Sequence, residues 1–393
     1  MTPSARVQAA IDLLDAIIAA TRDKGASADR IAAAFFAGRR YAGSKDRRAV
    51  RDLAWRAIRR FGERPENGRA ALIALADGDA ELASLFDGLA YGPAVIAADE
   101  PRASGGALPE WVKPLFSPLV SEGEYPALLE RAPLDVRVNR LVADRDAMAK
   151  NLPEALPLPE SRDGLRLPTG FAIETSAPYT SGAIEVQDIG SQLIAEACNA
   201  APAMTALDLC AGAGGKTLAL AAHMAGQGRL VAADTSRDRL SRLPPRAARA
   251  KAEFMETRLL DPGREMAALA DLSGCCDVVL IDAPCSGSGT WRRNPETRWR
   301  LDQRDLQRLV SEQARLLELG AALVRPNGHL VYAVCSLLAC EGHDQIAAFL
   351  ARHPDFAAQQ PAIGAGRADG AGILLTPAHD GSDGFYLARL HKL

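Results

Sequence analysis

Cys285 and Cys335 each follow a continuous apolar run, residues 278–281 and 330–334. The first run closes on Asp282-Ala283-Pro284-Cys285-Ser286-Gly287, so an acid precedes the thiol by three positions. A thiol acts as a nucleophile only as thiolate, and buried cysteine often serves as a small hydrophobe. That plain role suits Cys198, Cys275 and Cys276, but not two thiols that leave strands side by side. Two thiols and an acid solve a definite chemical problem. Carbon 5 of a pyrimidine is too weak a nucleophile to take a methyl group directly. A thiolate added at carbon 6 makes the ring enamine-like, and carbon 5 can then attack a methyl sulfonium. An acid at ring nitrogen 3, kept protonated by a low-dielectric pocket, offsets the charge that develops there. A base removes the carbon-5 proton and the thiol is eliminated.

A donor for that methyl group needs a site, and residues 208–217 offer one: Asp208-Leu209-Cys210-Ala211-Gly212-Ala213-Gly214-Gly215-Lys216-Thr217. Glycines between a strand and a helix bring backbone close to a ligand, and the helix N-terminus presents free N–H donors to an anion. A phosphate loop of the G-x-x-x-x-G-K-[ST] type needs Gly where Cys210 stands, and a dinucleotide G-x-G-x-x-G loop needs Gly where Thr217 stands. What remains suits a nucleoside with a carboxylate tail, such as S-adenosylmethionine. Asp234 closes the next apolar run, where an acid can take ribose hydroxyls. A tight turn alone would explain the glycines but not the two spaced acids.

Positioning these groups takes a βαβα pattern, which begins near residue 187. Residues 206–210, 229–233, 277–281, 329–335 and 385–390 read as strands, with helices at 217–224 and 304–323 between them. Strands that are apolar throughout imply a parallel sheet covered on both faces, with ligands at the carboxyl ends. Pro244-Pro245 should shorten or kink the helix after Asp234. Upstream, Val7, Ile11, Leu14, Ile17 and Ile18 recur at helical spacing. Further helical faces begin at Ile31 and Val50, so residues 4–62 predict a small bundle. Residues 62–132 read as helical but loop-rich, and residues 133–185 as a small α+β segment.

At 393 residues the chain needs two or three domains. Its 48% hydrophobic, 24% charged and 5% aromatic composition excludes a wholly disordered chain. No stretch approaches the ~18 apolar residues of a membrane helix, and seven cysteines without a C-x-x-C pair argue against a disulfide framework or zinc site. A reduced, cytoplasmic protein is expected, without membrane or metal partners. The net charge of −3 hides an asymmetry. Residues 1–64 hold 14 Lys/Arg against 7 Asp/Glu, and residues 65–130 hold 3 against 11. The basic part is a candidate polyanion surface. A second candidate is Trp291, Arg292, Arg293, Arg298, Trp299, Arg300, Arg304 and Arg308, read as RNA phosphate contacts and base-stacking platforms at the pocket mouth.

Residues 282–300, with Val331-Tyr332-Ala333-Val334-Cys335-Ser336, resemble the Sun/Nop family of RNA 5-methylcytosine methyltransferases, closest to its bacterial ribosomal-RNA branch, the RsmB type. The likeness extends to residues 186–192 and 383–389, and residues 40–48 resemble the NusB-like RNA-binding helical domain of that branch. The resemblance implies an α/β fold: a Rossmann-like class I methyltransferase domain at 186–393, preceded by an all-α NusB-like domain at 1–132 and a small α+β segment at 133–185. It implies Cys335 as the thiol that attacks carbon 6, Cys285 as the thiol that helps release product, and Asp282 as the acid at ring nitrogen 3. Lys216 matches a lysine beside the active site. Cys210, Ala211, Gly212, Ala213, Gly214, Gly215, Lys216 and Asp234 would hold S-adenosylmethionine, with Asp261 near the adenine and Asp282 against the cofactor. Ala213 stands where the family usually has Pro, Val334 where it has Thr and Gly342 where it has Asn. The implied activity is cytosine-5 methylation of small-subunit ribosomal RNA by a monomer. A transfer-RNA substrate and a non-catalytic assembly factor are the alternatives.

Overall fold

The N-terminal apolar spacing folds into helices α1 (Pro3–Arg22), α2 (Ala28–Ala37), α3 (Ser44–Arg60), α4 (Gly68–Ala76) and α5 (Ala80–Ser84). Thr2, Ser27 and Asn67 start α1, α2 and α4 by accepting a hydrogen bond from a first-turn N–H. Val7, Ile11, Leu14, Ile17 and Ile18 line one face of α1 and are buried with Val50 and Ile58 of α3 and Leu72 and Ile73 of α4. Gly68 lets α4 cross α1 closely, since a Cβ there would sit 2.4 Å from the Ile11 carbonyl oxygen.

The computed structural model describes residues 1–393, and the chain divides into two units. The helical unit comprises Met1–Phe116, Ser121–Arg131 and, from far along the chain, Thr290–Gln303. That last segment corrects the sequence reading of the basic-aromatic stretch. Trp291 and Trp299 are buried, as are Arg292 and Arg298. The Arg298 guanidinium donates to the carbonyls of Ile58, Arg59 and Phe61, and the Trp299 Nε1–H donates to Phe61 O at 2.8 Å. These carbonyls end α3, where orphaned acceptors and the negative pole of the helix dipole favour a cation. The two tryptophans and Arg298 are therefore structural parts of the helical unit rather than stacking platforms. Arg304 and Arg308 lie exposed on a helix of the other unit.

The second unit comprises Ser117–Val120, Ala132–Gly289 and Arg304–Leu393. Its first part is a four-stranded antiparallel sheet in the order β2-β3-β1-β4, built from β1 (Leu134–Val138), β2 (Leu156–Pro157), β3 (Gly164–Leu167) and β4 (Ile184–Val186), with α6 (Arg145–Asn151) and α7 (Ala177–Thr180). The rest is a nine-stranded sheet. Strands β5 (Thr205–Asp208), β6 (Arg229–Asp234), β7 (Glu256–Leu259), β8 (Cys276–Asp282) and β9 (Val324–Val334) run parallel in the order β9-β8-β5-β6-β7. Helices α8 (Ile189–Ala197), α9 (Gly215–His223), α10 (Arg237–Leu240), α11 (Leu243–Arg249), α12 (Glu265–Leu269), α13 (Gln303–Leu323) and α14 (His343–Arg352) alternate with these strands. Pro244 and Pro245 sit in the first turn of α11, where a missing N–H costs nothing, so the expected helix is broken in two.

The remaining strands depart from the all-parallel expectation. β13 (Phe385–Lys392) pairs antiparallel with β9, β12 (Gly372–Leu375) with β13, and β11 (Arg367–Asp369) with β12, while β10 (Phe356–Gln359) also pairs β13. Only a short connection containing α15 (Pro377–Asp380) joins β12 to β13, too little for the crossover that parallel neighbours need. Leu207, Val231, Val279, Leu280, Leu330 and Val331 are fully buried in the parallel strands, as a sheet covered on both faces requires. No helix is long and apolar enough to cross a membrane.

Candidate active site

Register sets the site. In the parallel pair β8·β9, Asp282 lies opposite Ala333, and the chain leaves both strands at the same edge. Ala283 N donates to Ala333 O at 2.9 Å, and Gly289 N donates to Cys335 O at 3.1 Å, so the two exit loops run side by side. Cys285 and Cys335 bring their sulfurs to 3.3 Å. Pairing with Cys335 and burial push the Cys285 thiol well above the ordinary cysteine range. Two thiols this close cannot readily ionise together, so the pair holds one thiolate at most.

The serines that follow the two thiols are joined as well. Ser286 Oγ lies 3.2 Å and Ser288 Oγ 3.0 Å from Ser336 Oγ. At their centre lies Glu341, fully buried, whose Oε1 accepts from Ser286 N and from Gln313 Nε2 at 2.9 Å each. Its Oε2 accepts from the hydroxyls of Ser286 and Ser336, and the Tyr332 hydroxyl donates to its carbonyl at 2.7 Å. One carboxyl group thus fixes the loops that carry both sulfurs. Nothing local in the sequence marks Glu341 for this part.

Lys216, near the start of α9, crosses to Asp282, Nζ to Oδ2 at 2.7 Å. Burial alone would lower the lysine's pKa, but the charge and hydrogen bond of Asp282 prevail and hold it above the usual range. The Phe385 ring lies under the ammonium, 5.6 Å from Nζ to the ring centre. Asp282, expected as an acid in a low-dielectric pocket, thus shares its site with the cation of Lys216. The motif at residues 186–192 finds its use here. Asp188 caps α8 and accepts from Asp383 N at 3.0 Å, fixing the turn that presents Phe385. Gln187 Nε2 reaches Gly215 O at 3.4 Å.

The glycine loop has the geometry expected of it. Gly214 caps α9 in the left-handed region at φ 86° with no side-chain cap, which leaves the first N–H groups of the helix available. A Cβ on Gly214 would come within 2.1 Å of Leu243, whereas a Cβ on Gly215 would meet nothing within 4 Å, so the backbone is open on that side. Asp234 lies beneath the loop, accepting from Gly212 N at 2.7 Å and Ser236 N at 2.6 Å. The guanidinium of Arg239, half-exposed, also covers it at 3.0 Å. Asp261 is exposed two residues beyond β7, at the same edge, where Leu260 N donates to Asp234 O. Burial, aided by the nearby carboxylates, pushes the Cys210 thiol up. Ala211 N donates to Ala233 O at 2.9 Å, and Ala213 O accepts from Arg246.

Asp208, at the end of β5, is buried, and its pKa is raised to about 7. Burial is the main cause and the charges of Asp282 and Asp234 add to it, against the Thr217 hydroxyl at 2.7 Å and the Lys216 charge. Its other oxygen, Oδ1, has no partner.

A glycine loop at a strand-to-helix turn, an acid ending the next strand and an open helix N-terminus define the class: a Rossmann-like, S-adenosylmethionine-dependent methyltransferase fold. The chain belongs to the RsmB/F family of 16S rRNA methyltransferases, whose family model matches residues 196–391. Ribosomal RNA small subunit methyltransferase B of Xylella fastidiosa is 35% identical over 283 residues, covering 70% of this chain and 65% of that protein. The probable ribosomal RNA small subunit methyltransferase B of Synechocystis is 32% identical over 303 residues, covering 73% and 67%. The chain thus spans about two thirds of these relatives' length. The crystal structure of PH0851 has the same fold over 98% of this chain and 99% of its own, with a TM-score of 0.75 at 21% identity.

Two outcomes follow from this geometry. A raised acid favours the fold below its unfolded pKa near 3.8 and loses that advantage as pH climbs through about 7. Asp208→Asn should therefore match the wild type near pH 4 and become more stable than it by a few kcal/mol above pH 7. Denaturant midpoints compared across that range check this, and a pH-independent difference would contradict it. Glu341→Ala strands four donors and should cost about 3 kcal/mol or more, while raising the alkylation rate of both thiols. Glu341→Gln should cost about 1 kcal/mol, because its amide can donate to hydroxyls that turn to accept. Equal stability of Glu341→Ala and the wild type would remove the assigned part.

Proposed function

We propose that this chain methylates carbon 5 of a cytosine in RNA, with small-subunit ribosomal RNA as the substrate, through a transient Cys335–carbon 6 bond. The observation that carries the reading is the 3.3 Å separation of two sulfurs at the exits of neighbouring parallel strands, on the sheet edge that also bears the glycine loop. The loop at 210–216 with Asp234 and Asp261 would hold S-adenosylmethionine, its carboxylate toward the open start of α9. When bound, that group supplies an electrophilic methyl.

The chain's own residues do the remaining work. The Cys335 thiolate adds to carbon 6, and the high pKa of Cys285 supports its partner role, a protonated thiol beside the nucleophile. Asp282 meets ring nitrogen 3 with Lys216 Nζ 2.7 Å behind it, so a lysine proton passed through the carboxyl to nitrogen 3 neutralises the negative charge that develops as carbon 6 is attacked. After methylation a base takes the carbon-5 proton, and elimination of the Cys335 sulfur, assisted by Cys285, frees the product. A cytosine must be unstacked or flipped to reach these groups. The helical unit, with the excess of cations at residues 1–64, supplies RNA affinity that salt weakens. The cellular setting that fits is the cytoplasm.

Cys335→Ala should abolish methyl transfer to unmodified ribosomal RNA. Cys285→Ala should instead accumulate a covalent RNA–protein adduct on a denaturing gel. Transfer at the wild-type rate by Cys335→Ala, or no adduct with Cys285→Ala, would refute the two roles in turn.

A further inference from the structure

The helical unit holds a cleft of about 440 Å³ that the methyl-transfer chemistry does not use. Arg22, Lys24, Arg64, Arg298 and Arg300 line it, with Glu63 and Asp302 as the acids and Trp111 on its wall. The acids are already engaged. Asp302 pairs with Lys24 at 3.2 Å, and Glu63 accepts from Glu110 N at 3.1 Å. The arginines have no such partner. Every acceptor of Arg298 is a backbone carbonyl, and burial lowers its pKa to about 9, helped by the charge of Arg59 and opposed only by Glu296. Arg300 donates to the carbonyls of Gly25 and Ala26. The Nε atoms of Arg298 and Arg300 are buried with no acceptor. Arg22 and Arg64 are exposed and make no ion pair.

Some arginines elsewhere in this chain meet carboxyl groups, as Arg166 meets Asp135 and Arg246 meets Glu185, while buried Arg137 and Arg389 take the side-chain oxygens of Gln187 and Gln359. Five cations face two engaged acids around this concavity, and the buried Nε–H groups of Arg298 and Arg300 still lack an acceptor, so an anion would complete the site. Guanidinium favours oxyanions with more than one acceptor, phosphate above all. Trp111, half-buried on the wall, offers a ring face of the kind on which nucleobases stack. We propose that this cleft is a binding site for the phosphodiester backbone of single-stranded RNA, with one base against Trp111. The site extends the proposed RNA methylation by naming where the helical unit grips its substrate, and it rests on that reading for the choice of RNA over free phosphate.

The test uses the full chain and the double variant Arg22→Gln/Arg64→Gln, both positions being exposed and outside the thiol site. Binding of a fluorescent oligouridylate is followed over a salt series. Inorganic phosphate is the second probe, and S-adenosylmethionine affinity is the control. The double variant should bind the oligouridylate about tenfold more weakly, with a salt slope shallower by about 1.4 for two lost phosphate contacts, and with unchanged cofactor affinity. Trp111→Ala should also weaken oligouridylate binding while leaving the salt slope as it was. Wild-type affinity and slope in the double variant would overturn the proposal, as would inorganic phosphate perturbing Trp111 emission when the oligouridylate does not. Arginine-dependent oligouridylate binding by a chain that methylates no RNA would leave the cleft standing and remove the proposed function instead.

Discussion

The site depends on two sulfur atoms being held 3.3 Å apart. Parallel neighbours β8 and β9 start this by ending in register, and main-chain hydrogen bonds between the exit loops continue it. A parallel sheet cannot fix what happens past its last rung, so the final positioning falls to side chains. Glu341 takes that part, with both oxygens committed to the serines after the thiols. In a buried setting each bond of such a network is stronger, and costlier to lose, than in water. The cost of breaking it keeps the exit loops, and with them the sulfurs, in one arrangement.

Electrostatics then sets the two sides of the site apart. Asp208, Asp234 and Asp282 end three adjacent strands, and three acids at one edge repel one another. Each answers differently. Asp234 is satisfied by backbone N–H groups and Arg239, Asp282 by Lys216, and Asp208 by a pKa raised to about 7. An edge so rich in acceptors and poor in free cations suits a cofactor that carries positive charge near its reactive atom. The helical unit shows the opposite balance around its arginine cleft, where cations outnumber acids.

Much of this was legible in the sequence because the chemistry needs particular residues at strand ends. Cys285, Cys335, Asp282 and the glycine loop announce themselves by type and by the apolar runs before them. Pro244-Pro245 could be read as a helix break. What escaped was carried by long-range contact. Lys216 and Asp282 are 66 positions apart and Ser286 and Glu341 are 55, with nothing local to pair them. The basic-aromatic stretch was misread for a related reason. Arginine and tryptophan look alike in sequence whether they face RNA or fill the end of a helix, and the carbonyls that bury Arg298 lie 237 or more positions away. The antiparallel β13 was hidden because an apolar strand carries no mark of its direction.

The most direct test of the account asks which sulfur bonds to the base. RNA carrying 5-fluorocytosine offers no proton at carbon 5, so the final elimination cannot occur and the enzyme–RNA bond persists after methylation. Proteolysis and mass spectrometry of that adduct, formed with wild-type protein and S-adenosylmethionine, locate the modified residue. The nucleotide should be found on Cys335 alone. Its attachment to Cys285, or stable capture of no cysteine at all while methylation of ordinary RNA proceeds, would contradict the account.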